Sequence, residues 1–161
     1  MKSKGGLAAV LVLVVAALVA TPSANAASTR AEYVSQAEAI CSAPSGQLSS
    51  IINQLNKVRK AKGLRASELA RRLGKIIGRF GRIEANIINQ LATLTPAPGD
   101  ETTVAQWLQG ERNANALVTQ AAAAGKHGNL KRYLRLLTQS ISVAGQANQV
   151  VAGWGFQACV F

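Results

Sequence analysis

The feature that most constrains the fold is a long run, residues 66–94, in which apolar side chains recur at steps of three and four. This spacing places them on one face of an α-helix. The apolar positions are Leu69, Leu73, Ile76, Phe80, Ile83, Ile87, Leu91 and Leu94. At about 1.5 Å per residue the helix extends for roughly 40 Å, which is longer than one small core needs unless other helices lie along it. The run therefore predicts the central helix of an antiparallel bundle.

A narrow stripe of small residues separates that apolar face from a basic one. With about 100° of turn per residue, the stripe consists of Gly74, Gly78, Gly81 and Ala85. A glycine inside a helix costs about 1 kcal/mol relative to alanine, so three on one stripe indicate that something approaches the backbone closely. The expected neighbour is another helix of the same chain, and a self-association groove is the alternative.

The rest of the chain predicts three further helical segments. A capping box at Thr29 opens the first, and Pro44 predicts a kink or a break near Ser42. The clearest loop lies at residues 95–100, and its last residue, Asp100, is a natural N-cap for the next helix. Four helical segments joined by short connections are typical of an up-down-up-down bundle.

The first 26 residues have the three parts of a secretory signal peptide. Two lysines open the chain, residues 7–20 carry no polar side chain, and Ala24-Asn25-Ala26 fits the small-x-small cleavage pattern. An apolar run of 14 residues is shorter than the about 20 that a membrane-spanning helix needs, so an uncleaved anchor is the less favoured alternative. We predict cleavage between Ala26 and Ala27, a secreted or extracytoplasmic location, and a single domain at residues 27–161 that is not an integral membrane protein.

Cysteine usage agrees with export. The two cysteines, Cys41 and Cys159, lie near the two ends of the predicted domain. An oxidising compartment favours pairing, and closing so long a loop gives about 4–5 kcal/mol in the chain-entropy model. A redox-active pair is the alternative, but no CxxC spacing supports it. The predicted fold class is therefore an all-α antiparallel four-helix bundle with a kinked or broken first helix and one disulfide.

Positive charge is concentrated in one segment. The chain has 18 lysines and arginines against 7 acidic residues, and residues 57–82 alone hold ten of the basic residues and one acid, Glu68. Such a field attracts polyanions and anionic surfaces, although a solvated face that keeps the bundle soluble is the alternative. The candidate anion-binding residues are Lys57, Arg59, Lys60, Lys62, Arg65, Arg71, Arg72, Lys75, Arg79 and Arg82. The last five of these share one face of the central helix.

Signatures of catalysis, metal binding and cofactor binding are missing from the sequence. His127 is the only histidine and lies in a predicted turn, so zinc sites and histidine-based triads lack their usual member. No GxSxG elbow or Walker-type phosphate loop is present. We expect Glu84, near the apolar face of the central helix, to pair with an arginine such as Arg112 or Arg132; a functional acid with a raised pKa is the alternative. The prediction is a non-enzymatic protein with no cofactor and no metal.

Three segments resemble a family of small exported proteins from high-GC Gram-positive bacteria that has no assigned function. The first is Tyr33-Val34-Ser35-Gln36-Ala37-Glu38-Ala39-Ile40-Cys41, similar to a family pattern of Tyr, three residues, Ala, an acid, a spacer, Ile and Cys. The second runs through residues 91–100 to Trp107 and Leu108, and the third is Ala152-Gly153-Trp154-Gly155-Phe156-Gln157-Ala158-Cys159. This chain has Glu38 where the family usually has Asp, and Trp154 where it commonly has Tyr. The resemblance implies an exported helical domain closed by one Cys–Cys bond, and it implies no activity or substrate. The basic segment is not part of the pattern.

The function predicted from the sequence is that of a secreted, non-catalytic helical module of the bacterial envelope. Its basic face would hold an anionic envelope polymer or the head groups of an anionic membrane surface, because the arginine fork makes bidentate contacts with phosphate. Nucleic acid is a poorer partner for an exported protein, although its phosphates satisfy the same electrostatics. The alternative is a protein–protein interaction or structural module whose basic face serves only solubility. The sequence leaves the oligomeric state open.

Overall fold

A computed structural model of the chain describes residues 29–160, and every regular element in this range is an α-helix. The helices are α1 (Arg30–Ser42), α2 (Ser45–Lys60), α3 (Ala66–Leu91), α4 (Glu101–Lys126) and α5 (Leu130–Val150). The predicted signal peptide and its cleavage site between Ala26 and Ala27 lie outside the described residues, as does Phe161. The all-α prediction is confirmed. None of the helices in residues 29–160 combines the length and the apolar character needed to cross a membrane.

Local signals explain the first two helices. The hydroxyl of Thr29 accepts a hydrogen bond from the backbone N–H of Glu32, whose carboxylate accepts one from the N–H of Thr29, which is the predicted capping box. α1 ends at Ser42, and α2 begins after Pro44, which serves as its N-cap residue. Residues 29–160 therefore form five helices where the sequence predicts four with a kinked or broken first one.

The small-residue stripe of α3 packs directly against α4. A methyl group added at Gly74 would lie 2.7 Å from the backbone nitrogen of Lys126 and 2.8 Å from the carbonyl oxygen of Ala122. One added at Gly81 would lie 3.1 Å from Val118. Because positions rise along α3 as they fall along α4, the two helices run antiparallel. The predicted neighbour within the same chain is confirmed, and the stripe is not free for self-association.

α4 lies between α3 and α5 and packs closely on both. A methyl group added at Gly110 would lie 2.5 Å from the Cβ atom of Ala147 on α5. One apolar cluster surrounds the fully buried Trp107 and draws on α1, α3, α4, α5 and the C-terminal tail. A second cluster, at the other end of α4, joins its alanines to Tyr133 and Leu136 of α5. Small side chains on α4 thus permit close approach by both neighbours.

The two ends of the described chain meet at one place. Cys41 and Cys159 form the predicted disulfide, with their Cα atoms 5.2 Å apart. The carboxylate of Glu38, one turn before Cys41, accepts the backbone N–H groups of Gln157, Ala158 and Cys159 at 2.8, 2.9 and 3.2 Å. Glu38 therefore satisfies three tail amides that form no part of a helix.

Aromatic contacts seat the same tail on the core. Phe156 stacks on Trp107 with ring centroids 5.0 Å apart, and Trp154 meets Tyr33 edge to face at 6.3 Å. These residues belong to the three segments that carry the family resemblance, so those segments come together in space. Their role here is structural, because they hold the chain ends against the core.

The prediction that the side chain of Asp100 caps the next helix is wrong. Asp100 precedes α4, but its side chain makes no capping hydrogen bond. Its carboxylate instead accepts two hydrogen bonds from Arg30, at 2.5 and 2.9 Å, and the hydrogen bond from Arg30 holds the pKa of Asp100 below its ordinary value. The guanidinium of Arg30 also lies 4.6 Å from the ring centroid of Trp154. A local capping rule failed because a long-range ion pair provides the aspartate with a charged partner.

Candidate anion-binding groove

A groove separates α2 from α3 because α2 packs loosely. Ile51 is the only residue of α2 that is buried. Towards the C-terminal end of α2 the groove forms a cavity of about 360 Å³, which we call the basic end. Its basic lining residues are Lys57 from α2 and Arg72, Lys75 and Arg79 from α3, and its apolar ones are Val58 and Ile76. The structure thus brings four of the ten predicted anion-binding residues around one space.

The same groove continues into a larger space of about 760 Å³, which we call the apolar cleft. Its isoleucines come from three helices: Ile40, Ile51, Ile83 and Ile87. Its polar lining residues include the neutral Gln47, Ser50, Gln54, Asn86 and Gln90 and the basic Arg79 and Arg82. Gln54 and Arg79 line both spaces, so the basic end and the apolar cleft adjoin along one α2–α3 groove.

Arg79 lies at the junction of the two spaces. Its Nη2 atom donates a hydrogen bond to Gln54 Oε1, which ties α3 to α2. Its Nε atom is buried and has no hydrogen-bond acceptor. A buried donor without a partner costs about 1–3 kcal/mol, so an anionic oxygen that reached this guanidinium would recover free energy. Arg79 is therefore the basic residue that joins the two spaces and holds an unsatisfied donor.

The charge of the groove is largely uncompensated. Glu68 is the only acid of residues 57–82, and it pairs with Arg72 at 2.6 Å. Both side chains are close to half exposed, so this pair contributes little to stability and is easily exchanged. The other ion pair in residues 29–160, Arg30 with Asp100, belongs to α1 and the N-terminus of α4. No acidic residue lines either end of the groove.

The remaining predicted residues do not share the groove's basic end. The side chain of Arg71 lies towards the turn after α4, since a methyl group added at Gly128 would be 3.6 Å from its Nε atom. Arg82 donates to the carbonyl oxygen of Gly78 at 2.9 Å and lines both the apolar cleft and a smaller cavity beside Lys126. Four exposed residues lie at the end of α2 and in the connection to α3: Arg59, Lys60, Lys62 and Arg65. The predicted single basic face is therefore divided between the α2 and α4 sides of α3.

Two buried carboxylates between α3 and α4 form a second unusual feature. Glu84 is 3% exposed and Glu111 is 0% exposed. Asn115 donates to Glu84 Oε2 at 2.7 Å and to the carbonyl oxygen of Gly81 at 2.8 Å. The expected pairing of Glu84 with an arginine, Arg112 or Arg132, is wrong, because the asparagine on the facing helix takes that position.

Glu111 has no hydrogen-bond partner for either carboxylate oxygen. Burial, together with the smaller effect of the nearby charge of Glu84, raises the pKa of Glu111 from the ordinary 4.5 to about 7. The indole N–H of Trp107, one turn earlier, opposes this shift without making a hydrogen bond of ordinary geometry. Burial also raises the pKa of Glu84, against the effect of Asn115. The pair therefore retains protons at pH values where exposed glutamates are ionised.

Glu111 is not among the residues predicted from the sequence, although the sequence contains a signal for its burial. The residue falls at three-and-four spacing between Trp107 and Ala114 of α4, both of which are buried. A carboxylate in such a stripe predicts burial. Within residues 29–160 no group of three or more His, Cys, Asp or Glu side chains is placed to hold a metal ion.

Comparison with known proteins adds no family assignment. No protein-family model matches the chain, and neither a curated protein nor a solved structure matches it significantly.

Proposed function

We propose that the protein is a secreted, non-catalytic helical module of the bacterial envelope that binds anionic groups of cell-surface polymers or lipid head groups. The groups would be bound at the basic end of the α2–α3 groove. Export rests on the N-terminal signal-peptide pattern and on the use of both cysteines in a disulfide. In the same proposal α1 and α2 together take the place of the first helix of an antiparallel four-helix bundle.

The observation that carries this proposal is the convergence of Lys57 from α2 with Arg72, Lys75 and Arg79 from α3 around one cavity. A set of lysines and arginines that served only solubility would be dispersed over the surface, since like charges in proximity repel. Here two helices bring four cations together, and Glu68 is the one acid nearby in sequence. A polyanion that binds here offsets the repulsion among the four cations, so the arrangement favours the bound state over the free protein.

The test is a pair of triple variants that remove equal charge from different places. The groove variant is Lys57→Gln with Arg72→Gln and Lys75→Gln. The matched control, at exposed positions of α5, is Lys131→Gln with Arg132→Gln and Arg135→Gln. Binding to a glycerol-phosphate polymer and to phosphatidylglycerol vesicles is measured from 50 to about 300 mM salt, a range in which counterion release makes phosphate binding fall steeply.

We expect the groove variant to lose at least tenfold in affinity and the slope of log affinity against log salt to fall by about two to three. The control variant should lose far less. Equal losses in both variants would mean that net charge alone drives binding, and binding that ignores salt would contradict the proposal.

One observation favours the alternative, a protein–protein module. Leu134 and Ile141 of α5 are 52% and 71% exposed and lie seven residues apart, on the same face of the helix. Exposed apolar side chains on one face are typical of contact surfaces. Loss of a dimer or of a partner in an Ile141→Gln variant, with unchanged polymer binding, would support this alternative.

A further inference from the structure

The α2–α3 groove has two chemically different ends, and a polyanion uses only one of them. The phosphates of a polymer chain would satisfy Lys57, Arg72 and Lys75, but they offer nothing apolar to the cleft beyond Arg79. The two ends adjoin at Gln54 and Arg79, so a ligand with both an anionic and an apolar part would contact both.

We infer that the groove binds one amphipathic anion at a time, with a phosphate head at the basic end and an acyl or alkyl chain in the apolar cleft. This inference rests on the proposed function, because it uses the same basic end, and it names the class of ligand as a single-chain phosphorylated lipid. It differs from binding at a membrane surface, because the chain is held by the protein.

The apolar cleft offers an acyl chain a strip of isoleucines, and its apolar and polar lining residues are about equal in number. Of its isoleucines, Ile51 and Ile87 are buried, and Ile40 and Ile83 are partly exposed. These isoleucines come from α1, α2 and α3, so the cleft depends on the break between α1 and α2 at Pro44. The volume of about 760 Å³ falls within the range of small-molecule sites, which is roughly 300–1,000 Å³.

The rim of the cleft consists of neutral amides and a hydroxyl, together with Arg79 and Arg82. The amides present polar groups to water without repelling an anionic ligand. Arg79, between the two ends, is where the head and the chain of such a molecule would join. In this binding mode Arg79 would exchange its hydrogen bond to Gln54 for a charge-assisted one to a phosphate oxygen.

The experiment uses a series of soluble probes below their micelle concentrations and the purified protein. Dodecyl phosphate, octyl phosphate and glycerol phosphate share the head and differ in the chain, and dodecyltrimethylammonium keeps the chain with a positive head. Binding is measured by isothermal titration calorimetry, alongside the glycerol-phosphate polymer. An open cleft removes about half of the chain's surface from water. Each deletion of two methylenes should therefore lower the affinity of the probe about fourfold.

Two variants test the cleft directly. Ile83→Gln places an amide among the isoleucines. Its matched control is Ile141→Gln, at an exposed position of α5. Because Ile83 also contacts the core, a second variant, Gln47→Trp, fills the cleft from an exposed rim position. We expect both cleft variants to weaken dodecyl phosphate binding at least tenfold and to leave polymer binding unchanged. The control should bind both ligands like the wild type.

The outcomes separate this inference from the proposed function. Equal affinity for dodecyl phosphate, octyl phosphate and glycerol phosphate would overturn the inference, and polymer binding would still support anion binding at the basic end. Equal binding of the positively charged amphiphile would overturn the assignment of an anionic head. Failure of both dodecyl phosphate and the polymer to bind would overturn both proposals.

Discussion

Replacing Gly74 by alanine should destabilise the protein, although alanine is the better helix former. Alanine gains about 1 kcal/mol over glycine in a helix interior. Its methyl group, however, would lie 2.7 Å from the backbone nitrogen of Lys126 and 2.8 Å from the carbonyl oxygen of Ala122. Backbone atoms cannot rotate away, so α4 has to move as a unit, and we place the cost at about 3 kcal/mol, the upper end of the usual range for overpacking. The net loss of stability is about 2 kcal/mol.

Urea denaturation followed by circular dichroism measures this loss. The control is Gly78→Ala, one turn later on the same stripe, where the nearest atom to the added methyl group is the Cβ of Ala122 at 3.4 Å. That contact is ordinary, so the control should be more stable than the wild type by up to about 1 kcal/mol. If both variants proved equally stable, the close crossing of α3 and α4 at Gly74 would be wrong.

Two further predictions concern buried and tail carboxylates. The pKa of Glu111 is about 7 in the fold against the ordinary 4.5, so its contribution to stability is full below about pH 4.5 and is lost as the pH rises through 7. Urea denaturation should show a fall of about 3 kcal/mol over this range that Glu111→Gln largely removes; an equal fall in both proteins would contradict the buried assignment. Glu38→Ala removes the acceptor of three tail N–H groups, so hydrogen exchange at residues 157–159 should accelerate and stability should fall by about 1–3 kcal/mol. Glu101→Ala, which removes one exposed hydrogen bond to Gly99, is its control, and unchanged exchange at the tail would refute the role of Glu38.

Features that depend on local regularity were predictable from the sequence. The period of the apolar residues in α3 identified the helix, although it ends at Leu91 and not at the predicted Leu94. The spacing of its glycines identified a face for close contact because a repeated loss of helix propensity has to be compensated by packing. The pairing of Cys41 with Cys159 followed from there being only one connectivity.

Features that depend on which helices become neighbours were not predictable. The partner of Asp100 is 70 residues away in the chain, and no local pattern points to Arg30. The partner of Glu84 is Asn115, because the crossing angle of α3 and α4 selects the residue that faces it. Charge counting identified the basic segment. It did not show that Arg71 lies towards the turn after α4, or that a cleft opens between α2 and α3 beside Ile83.

Binding at the α2–α3 groove can be located by following the backbone amide signals of the protein during a titration. The protein, labelled with ¹⁵N, is titrated with the soluble glycerol-phosphate polymer at low salt. We expect the shifted signals to cluster at Gln54, Lys57, Arg72, Lys75 and Arg79, with those of α5 unaffected. Shifts spread evenly over every lysine and arginine, or centred on Arg132 and Arg135 of α5, would contradict binding at this groove.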